Sequence, residues 1–251
     1  MKKKIFFDMI LNIVATSIPT VILQLLILPS LSNYMDGNAY GLMVTILAAL
    51  NVVPSTIGNV LNNVRLLHEE SYKKDNEQGD FQILLTIFQA INLLIMVTVS
   101  IYYLGTKDIT GILLLIAVGV LWLGREYHIV AFRLKLDYIA LLVNNLCLVA
   151  GYGIGYIFFM KNGYWQIIYL LGYILSYLHI VIASPIVKEP FIKTKRLRTV
   201  FNDSVFLLIS NVLARAINYA DKILLYPLLG GTMVSVYYAA TVFSIKLSFK
   251  N

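Results

Sequence analysis

Long apolar runs broken by short polar segments set the pattern of this chain. A helix needs roughly 20 mostly apolar residues to span a bilayer. The sequence predicts such helices at 5–31, 39–63, 83–104, 109–132, 138–160, 165–187 and 204–231. A partial eighth is expected in MVSVYYAATVFSIKLSFKN, where Lys246 and Lys250 interrupt the second half. The first run follows the basic residues Lys2 to Lys4 and superficially copies a secretory signal, with Ala15-Thr16-Ser17 as a poor cleavage site, but it is too long for one. It is expected to bend at Pro19 and end near Pro29, because proline removes a backbone donor and clashes with the preceding turn. The expected fold is all-α: a polytopic membrane protein with a six-helix N-terminal lobe (1–187), a basic linker (188–202) and the start of a second lobe (203–251), helix seven and part of helix eight.

Polar positions inside the spans carry the functional signal. In 204–231, Ser204, Asn211, Arg215, Asn218 and Lys222 fall within a ~60° arc of an α-helix, with Asp221 next to Lys222 in sequence. A cation at mid-bilayer costs about 3 kcal/mol on insertion scales, so this stripe is expected to face protein or a water-filled cavity, and it is the expected functional centre. Asn51, Ser55, Gly58 and Asn62 form a second stripe, and Gln82, Thr86 and Gln89 a third. Each polar side chain alone reads as an interhelical hydrogen bond. Stripes on several helices together favour a shared central cavity. Gly151 and Gly155 make a small-xxx-small pair, read as a close helix contact, and Tyr169 and Tyr173 share a face that is either a packed aromatic stripe or a sugar-binding wall.

Composition then excludes a water-soluble domain. Hydrophobic residues make up 59% and charged residues 13%, about half the ~25% of soluble proteins, with a mean hydropathy of +0.78. The net charge of +7 does not signal nucleic-acid binding, because the basic residues lie in short segments between apolar runs and form no continuous face. They read as topology signals. Lys2, Lys3, Lys4, Arg65, Lys73, Lys74, Arg125, Arg133, Lys135, Lys188, Lys193, Lys195, Arg196 and Arg198 fall on one side, against Lys107 and Lys161 on the other. Basic flanks resist translocation, so the N-terminus and the linker are expected in the cytoplasm of a cell inner membrane, with Arg125, Arg133 and Lys135 as cytoplasmic anchors.

Catalytic chemistry finds little footing. His68, His128 and His179 are far apart with no Cys or carboxylate at ligand spacing, Cys147 is alone, and no phosphate-cradling glycine loop is present, so neither an enzyme, a metal nor a cofactor is implied. Glu126 and His128 are the only candidates for a membrane-embedded transferase.

A weak internal repeat bears on architecture. Leu28-Pro29-Ser30-Leu31 set over Tyr226-Pro227-Leu228-Leu229 gives an offset of 198 residues, which also places Met35 on Met233 and Tyr40 on Tyr238. The offset equals six helices, so both copies share one orientation, as in a parallel duplication of a six-helix lobe.

PSLSNYMDGNAYGLMVTIL, GNVLNNVRLL and ADKILLYPLLGGTMVSVYYAA resemble the bacterial polysaccharide repeat-unit flippases of the multidrug/oligosaccharidyl-lipid/polysaccharide exporter superfamily. The resemblance covers essentially the whole chain, as the N-terminal lobe plus the start of the second. It implies a two-lobed transporter that moves an undecaprenyl-diphosphate-linked oligosaccharide across the cytoplasmic membrane by alternating access, among membrane lipids, with a polysaccharide polymerase and glycosyltransferases as candidate partners. It further implies a cationic central cavity for the diphosphate, to which Arg215 and Lys222 correspond by position. The expected substrate-binding set is Arg215, Lys222, Asn211, Asn218, Asp221, Asn51 and Asn62: Arg offers a bidentate phosphate clamp, Lys a point charge, and Asn partners for sugar hydroxyls. A purely local pairing of Arg215 or Lys222 with Asp221 is the competing reading. A cation-coupled multidrug exporter of the same superfamily, which would use buried carboxylates such as Asp221, and a non-transporting remnant or assembly partner are the alternatives. With one lobe complete, the sequence is expected to represent a truncated or split flippase that does not transport by itself, homodimerisation being one way to supply a second wall.

Overall fold

A computed structural model describes residues 2–75, 77 and 79–248, with the side chains of 2–7, 9 and 242–248 outside the description. The expectation for Lys246 and Lys250 therefore lies outside the described side chains. Helix α1 (Lys2–Ile22) continues through a π segment, Leu23–Ile27, into the short α2 (Leu28–Leu31). Pro19 is absorbed within α1, and the change of helical register at Leu23 falls just before Pro29, whose missing N–H and bulky ring disfavour a regular α-turn there. Then come α3 (Gly37–Val52), α4 (Pro54–Asp75), α5 (Asp80–Leu104), α6 (Ile109–His128), α7 (Val130–Leu134), α8 (Tyr138–Asn162) and α9 (Gln166–Ala183). A 3₁₀ turn, Pro185–Lys188, leads to α10 (Leu197–Leu229) and α11 (Gly231–Ser248).

Among the described residues, seven helical stretches are long and apolar enough to cross a membrane: Ile10–Leu31, Gly37–Asp75, Asp80–Leu104, Ile109–Leu134, Tyr138–Asn162, Gln166–Ala183 and Leu197–Leu229. The protein is an all-α, multi-pass membrane protein. The α2/α3, α5/α6, α8/α9 and α10/α11 connections share one end of the bundle, called here the hairpin end. The other, the linker end, holds the segment between α9 and α10.

Several boundaries differ from the sequence expectation. The second span is two helices, because Val53 leaves the helical region (φ −101°, ψ −80°) ahead of Pro54, which disfavours a helical predecessor. It also runs to Asp75, so Arg65 sits on a helix rather than in a flank. Helix α9 stops at Ala183 before Pro185, and α10 starts at Leu197, which shortens the non-helical part of the linker.

Side-chain caps fix several starts: Asp36 accepts from the N–H groups of Asn38 (2.9 Å) and Ala39 (3.0 Å), and Asp108 from that of Gly111 (2.9 Å). At the hairpin end, Leu31, Tyr40, Met43, Ile168 and Val234 belong to one buried apolar cluster. Helices α8 and α9 approach each other closely, as the glycine spacing predicts. A Cβ on Gly155 would stand 2.5 Å from Ile168 Cα, and one on Gly151 would stand 2.5 Å from Gly172 Cα. Positions matched by the internal repeat meet where α3 crosses α11. The rings of Tyr40 and Tyr238 lie 6.2 Å apart, and Ser235 Oγ donates to Gly37 O at 2.7 Å.

At the linker end the connection is pinned by buried polar groups. Arg65 makes a bidentate pair with Glu189 (2.8 Å and 2.8 Å), a further bond to Glu69 (3.1 Å), and lies over the Phe81 ring. Asp80, fully buried, accepts from Tyr72 Oη (2.6 Å) and from both the N–H (2.8 Å) and the hydroxyl of Thr194.

Candidate functional site: a cationic cavity along the bundle

Between α1, α3, α4, α6, α8, α9, α10 and α11 lies a cavity of about 700 Å³. Its wall grades along the bundle. Asn59, Glu126 and Arg133 line it toward the linker end, and Tyr152, Tyr169, Tyr173 and Tyr238 toward the hairpin end. Three cations, Arg125, Arg133 and Lys222, face one carboxylate, Glu126.

Arg125 organises the wall from α6. Its Nε donates to Ser176 Oγ (3.1 Å), Nη1 to Glu126 Oε1 (2.7 Å), and Nη2 to Asn144 Oδ1 (3.2 Å) and to Asn145 Oδ1. At 6% exposure this charge stays buried only because acceptors surround it; without them desolvation costs several kcal/mol. The acceptors are themselves held. Asn144 Nδ2 donates to Ser176 O (2.8 Å), and Asn145 Nδ2 to Ala15 O (2.9 Å). The Ala15 carbonyl is available because residue 19, its helical partner four positions on, is proline and has no N–H. Pro19 thus fixes Asn145, and Asn145 fixes Arg125, across three helices. The cytoplasmic-anchor reading of Arg125 is therefore corrected: its side chain is an internal hub rather than a free flank. Arg133 is half-buried and donates to Asn62 Oδ1 (2.6 Å) and Asn63 Oδ1 (3.2 Å), so it too is tied to α4. Lys135 is exposed.

The stripe on α10 divides. Lys222 lines the cavity; its Nζ pairs with Asp221 at 3.0 Å and stands 5.8 Å and 5.9 Å from the ring centres of Tyr219 and Tyr237. Asp221 is partly exposed and outside the lining. Arg215 does not line the cavity but binds two residues that do, through Nη1 to Asn51 O (3.3 Å) and Ser55 Oγ (3.1 Å). The interruption of the helix at Val53 leaves the Asn51 carbonyl without its regular helical setting, and Arg215 and Thr56 Oγ1 (3.2 Å) bind it instead. Asn211 and Asn218 are exposed on α10 away from the cavity, and Asn211 bonds back to Leu207 O (2.8 Å). Their assignment to the site is corrected: the ~60° arc is wide enough for its two edges to meet different surroundings on a helix packed along one side only.

Asn51 lines the cavity while its own amide donates to Leu47 O (2.9 Å). Asn62 is fully buried between α4 and α6, donating to Glu126 O (2.9 Å) and accepting from Arg133, and is scaffold rather than wall. The stripe on α5 serves packing as well: Gln82 donates to Ile186 O (2.8 Å), Gln89 to Val120 O (2.7 Å), and Thr86 to Gln82 O (2.9 Å). Tyr169 and Tyr173 face the cavity beside Trp122, with ring centres 6.2 Å and 5.1 Å from it in stacked geometry. Packed stripe and cavity wall are here the same residues.

Sequence reasoning missed a polar stripe on α1 and the π segment that continues it. Asn12, Thr16, Thr20 and Gln24 recur every fourth residue and all line the cavity. That spacing was visible but hidden in a run read only for its apolar length. Glu126 was weighed as a catalytic group together with His128. His128 lies outside the lining, at 2% exposure, bonded to Gly124 O (2.7 Å) and Tyr177 Oη (3.2 Å). Among the described residues, no group of three or more His, Cys, Asp and Glu is placed to hold a metal ion.

No protein-family model, curated protein or solved structure matches the chain.

Proposed function

We propose that this protein binds an undecaprenyl-diphosphate-linked oligosaccharide in its central cavity and takes part in its translocation across the cytoplasmic membrane by alternating access. The observation that carries the reading is the pairing of chemistries within one cavity: Lys222 to bind a compact anion, with the internally bonded Arg125 and Arg133 adding positive potential to the wall, and Trp122, Tyr152, Tyr169 and Tyr173 for sugar rings. A volume of about 700 Å³ suits a diphosphate with a short saccharide, within the ~300–1,000 Å³ common for ligand pockets. Guanidinium and ammonium groups bind phosphate oxygens by charge-assisted hydrogen bonds that a low-dielectric bundle strengthens. Aromatic faces stack on the apolar faces of sugars while phenol groups meet hydroxyls. The Lys/Arg asymmetry, which persists when the internally bonded Arg65 and Arg125 are set aside, supports a cytoplasmic N-terminus and linker end.

A photo-crosslinking amino acid at Leu47, which lines the cavity, should capture a glycan-bearing lipid in cells that accumulate lipid-linked repeat units; the same probe at Ile139, exposed on α8, should not. No adduct at position 47, or equal adducts at both, would overturn the reading. Glu126 in the wall favours one second reading, a cation-coupled exporter of organic cations. Under it, Glu126→Gln would abolish drug resistance conferred by the chain, while Lys222→Gln would leave it intact.

A further inference from the structure

Away from the cavity, a cleft of about 370 Å³ opens at the linker end between the start of α5, the connection to α10 and the first turns of α10. Lys193, Lys195 and Arg198 line it over an apolar floor of Leu84, Ile87 and Phe201. All three cations are exposed, and among the described residues none has a carboxylate within salt-bridge distance. Their neighbour Arg196, by contrast, is taken by Asp75 and Glu77. The hydrogen bond to Asp75 raises the pKa of the Arg196 guanidinium above the ordinary arginine value.

The cleft is built rather than incidental. Thr194, between the two lysines, is bound through its N–H and its hydroxyl to the buried Asp80 carboxylate, which holds the basic segment against the end of α5. Helix α10 starts with no capping side chain, so first-turn N–H groups add positive potential beside Arg198. Leu84 and Ile87 are four and seven residues into α5, about 6 and 10 Å along the helix from its first residue. Ile87 (40%) and Phe201 (37%) keep a large apolar surface exposed directly beneath the charges. A free phosphate would use the cations and leave that floor bare.

We infer that this cleft is a binding site for an anionic phospholipid of the leaflet at the linker end, with its phosphate on Lys193, Lys195 and Arg198 and an acyl chain along Ile87 and Phe201. This site is separate from the central cavity and stands whatever that cavity carries. Basic clefts at helix ends over lipid-facing apolar surface select anionic headgroups on this principle.

The test uses the full chain in detergent micelles, with native mass spectrometry counting bound palmitoyl-oleoyl phosphatidylglycerol against the phosphatidylcholine analogue. The wild type should retain the glycerol lipid preferentially. The K193Q/K195Q/R198Q variant should lose about 10-fold or more in apparent affinity for it, with no change for the choline lipid. A K73Q/K135Q/K188Q variant removes the same charge from the same end and should keep the preference, as these residues lie outside the cleft. Equal lipid retention by the wild type and the cleft variant, or equal loss in both variants, overturns the site. Displacement of the lipid by glycerol 3-phosphate at matched concentration overturns the lipid assignment in favour of a free phosphate.

Discussion

Arg125 and Lys222 contribute the same charge to the same cavity and are embedded in opposite ways. Arg125 sits inside four side-chain acceptors drawn from α6, α8 and α9, and one of these is held by α1. Lys222 has one carboxylate, its own neighbour Asp221, and two aromatic rings. A cation with that many fixed partners is part of the scaffold, and removing it strands the partners. A cation with one adjacent partner can exchange it for a ligand at low cost. Charge in the cavity therefore divides into a part that holds the helices together and a part available to bind.

The largest effect expected from breaking this contrast is at Arg125. Arg125→Ala should cost about 3–5 kcal/mol, as loss of one member of a buried charged network does, and lower both the melting temperature in detergent and accumulation in the membrane. Arg125→Lys should rescue little, since one ammonium cannot reach all four acceptors. Gly155→Val comes next. The added atoms meet Ile168 backbone at 2.5 Å, so α8 and α9 must separate at about 1–3 kcal/mol or more, read as a lower melting temperature. Asn145→Ala should follow at about 1–3 kcal/mol, because it leaves the Ala15 carbonyl unsatisfied beside Pro19 and removes one acceptor from Arg125. Lys222→Gln should change stability by no more than about 1 kcal/mol, as expected for a partly exposed pair, and leave accumulation unchanged. At the small end, Asn211→Ala, exposed and bonded only to its own helix in the structure, should stay within about 0.5 kcal/mol by the same measurement.

These contrasts also mark what a sequence can disclose. Apolar run length follows from bilayer thickness, which is why the seven spans were legible, although the second runs twelve residues past its expected end and the seventh begins seven residues before its expected start. The glycine pair at 151 and 155 was legible because close helix approach needs small residues at four-residue spacing. Which polar stripe faces the cavity was not, because one helix's stripe carries no information about the direction of its neighbours. The α5 stripe bonds into α6 and the linker, while the α1 stripe, no richer in polar residues, lines the cavity. Arg125 read as an anchor because it stands near the end of a span, and its acceptors, Asn144, Asn145 and Ser176, come from helices much later in the chain. Arg215 and Lys222, about two turns apart on one helix, were expected to share a role. The helix break at Pro54, on a different element, is what draws Arg215 to the backbone of α3.

Direct binding of undecaprenyl diphosphate to the purified chain tests the central claim most closely. Titration of wild type and Lys222→Gln in detergent, with undecaprenol as the uncharged comparison, should show binding that depends on the diphosphate. It should weaken by about 10-fold or more when the ammonium is removed, as for loss of a charge-assisted hydrogen bond. Equal affinity of both proteins for the diphosphate, or equal affinity of the wild type for undecaprenol, would contradict a diphosphate-binding cavity.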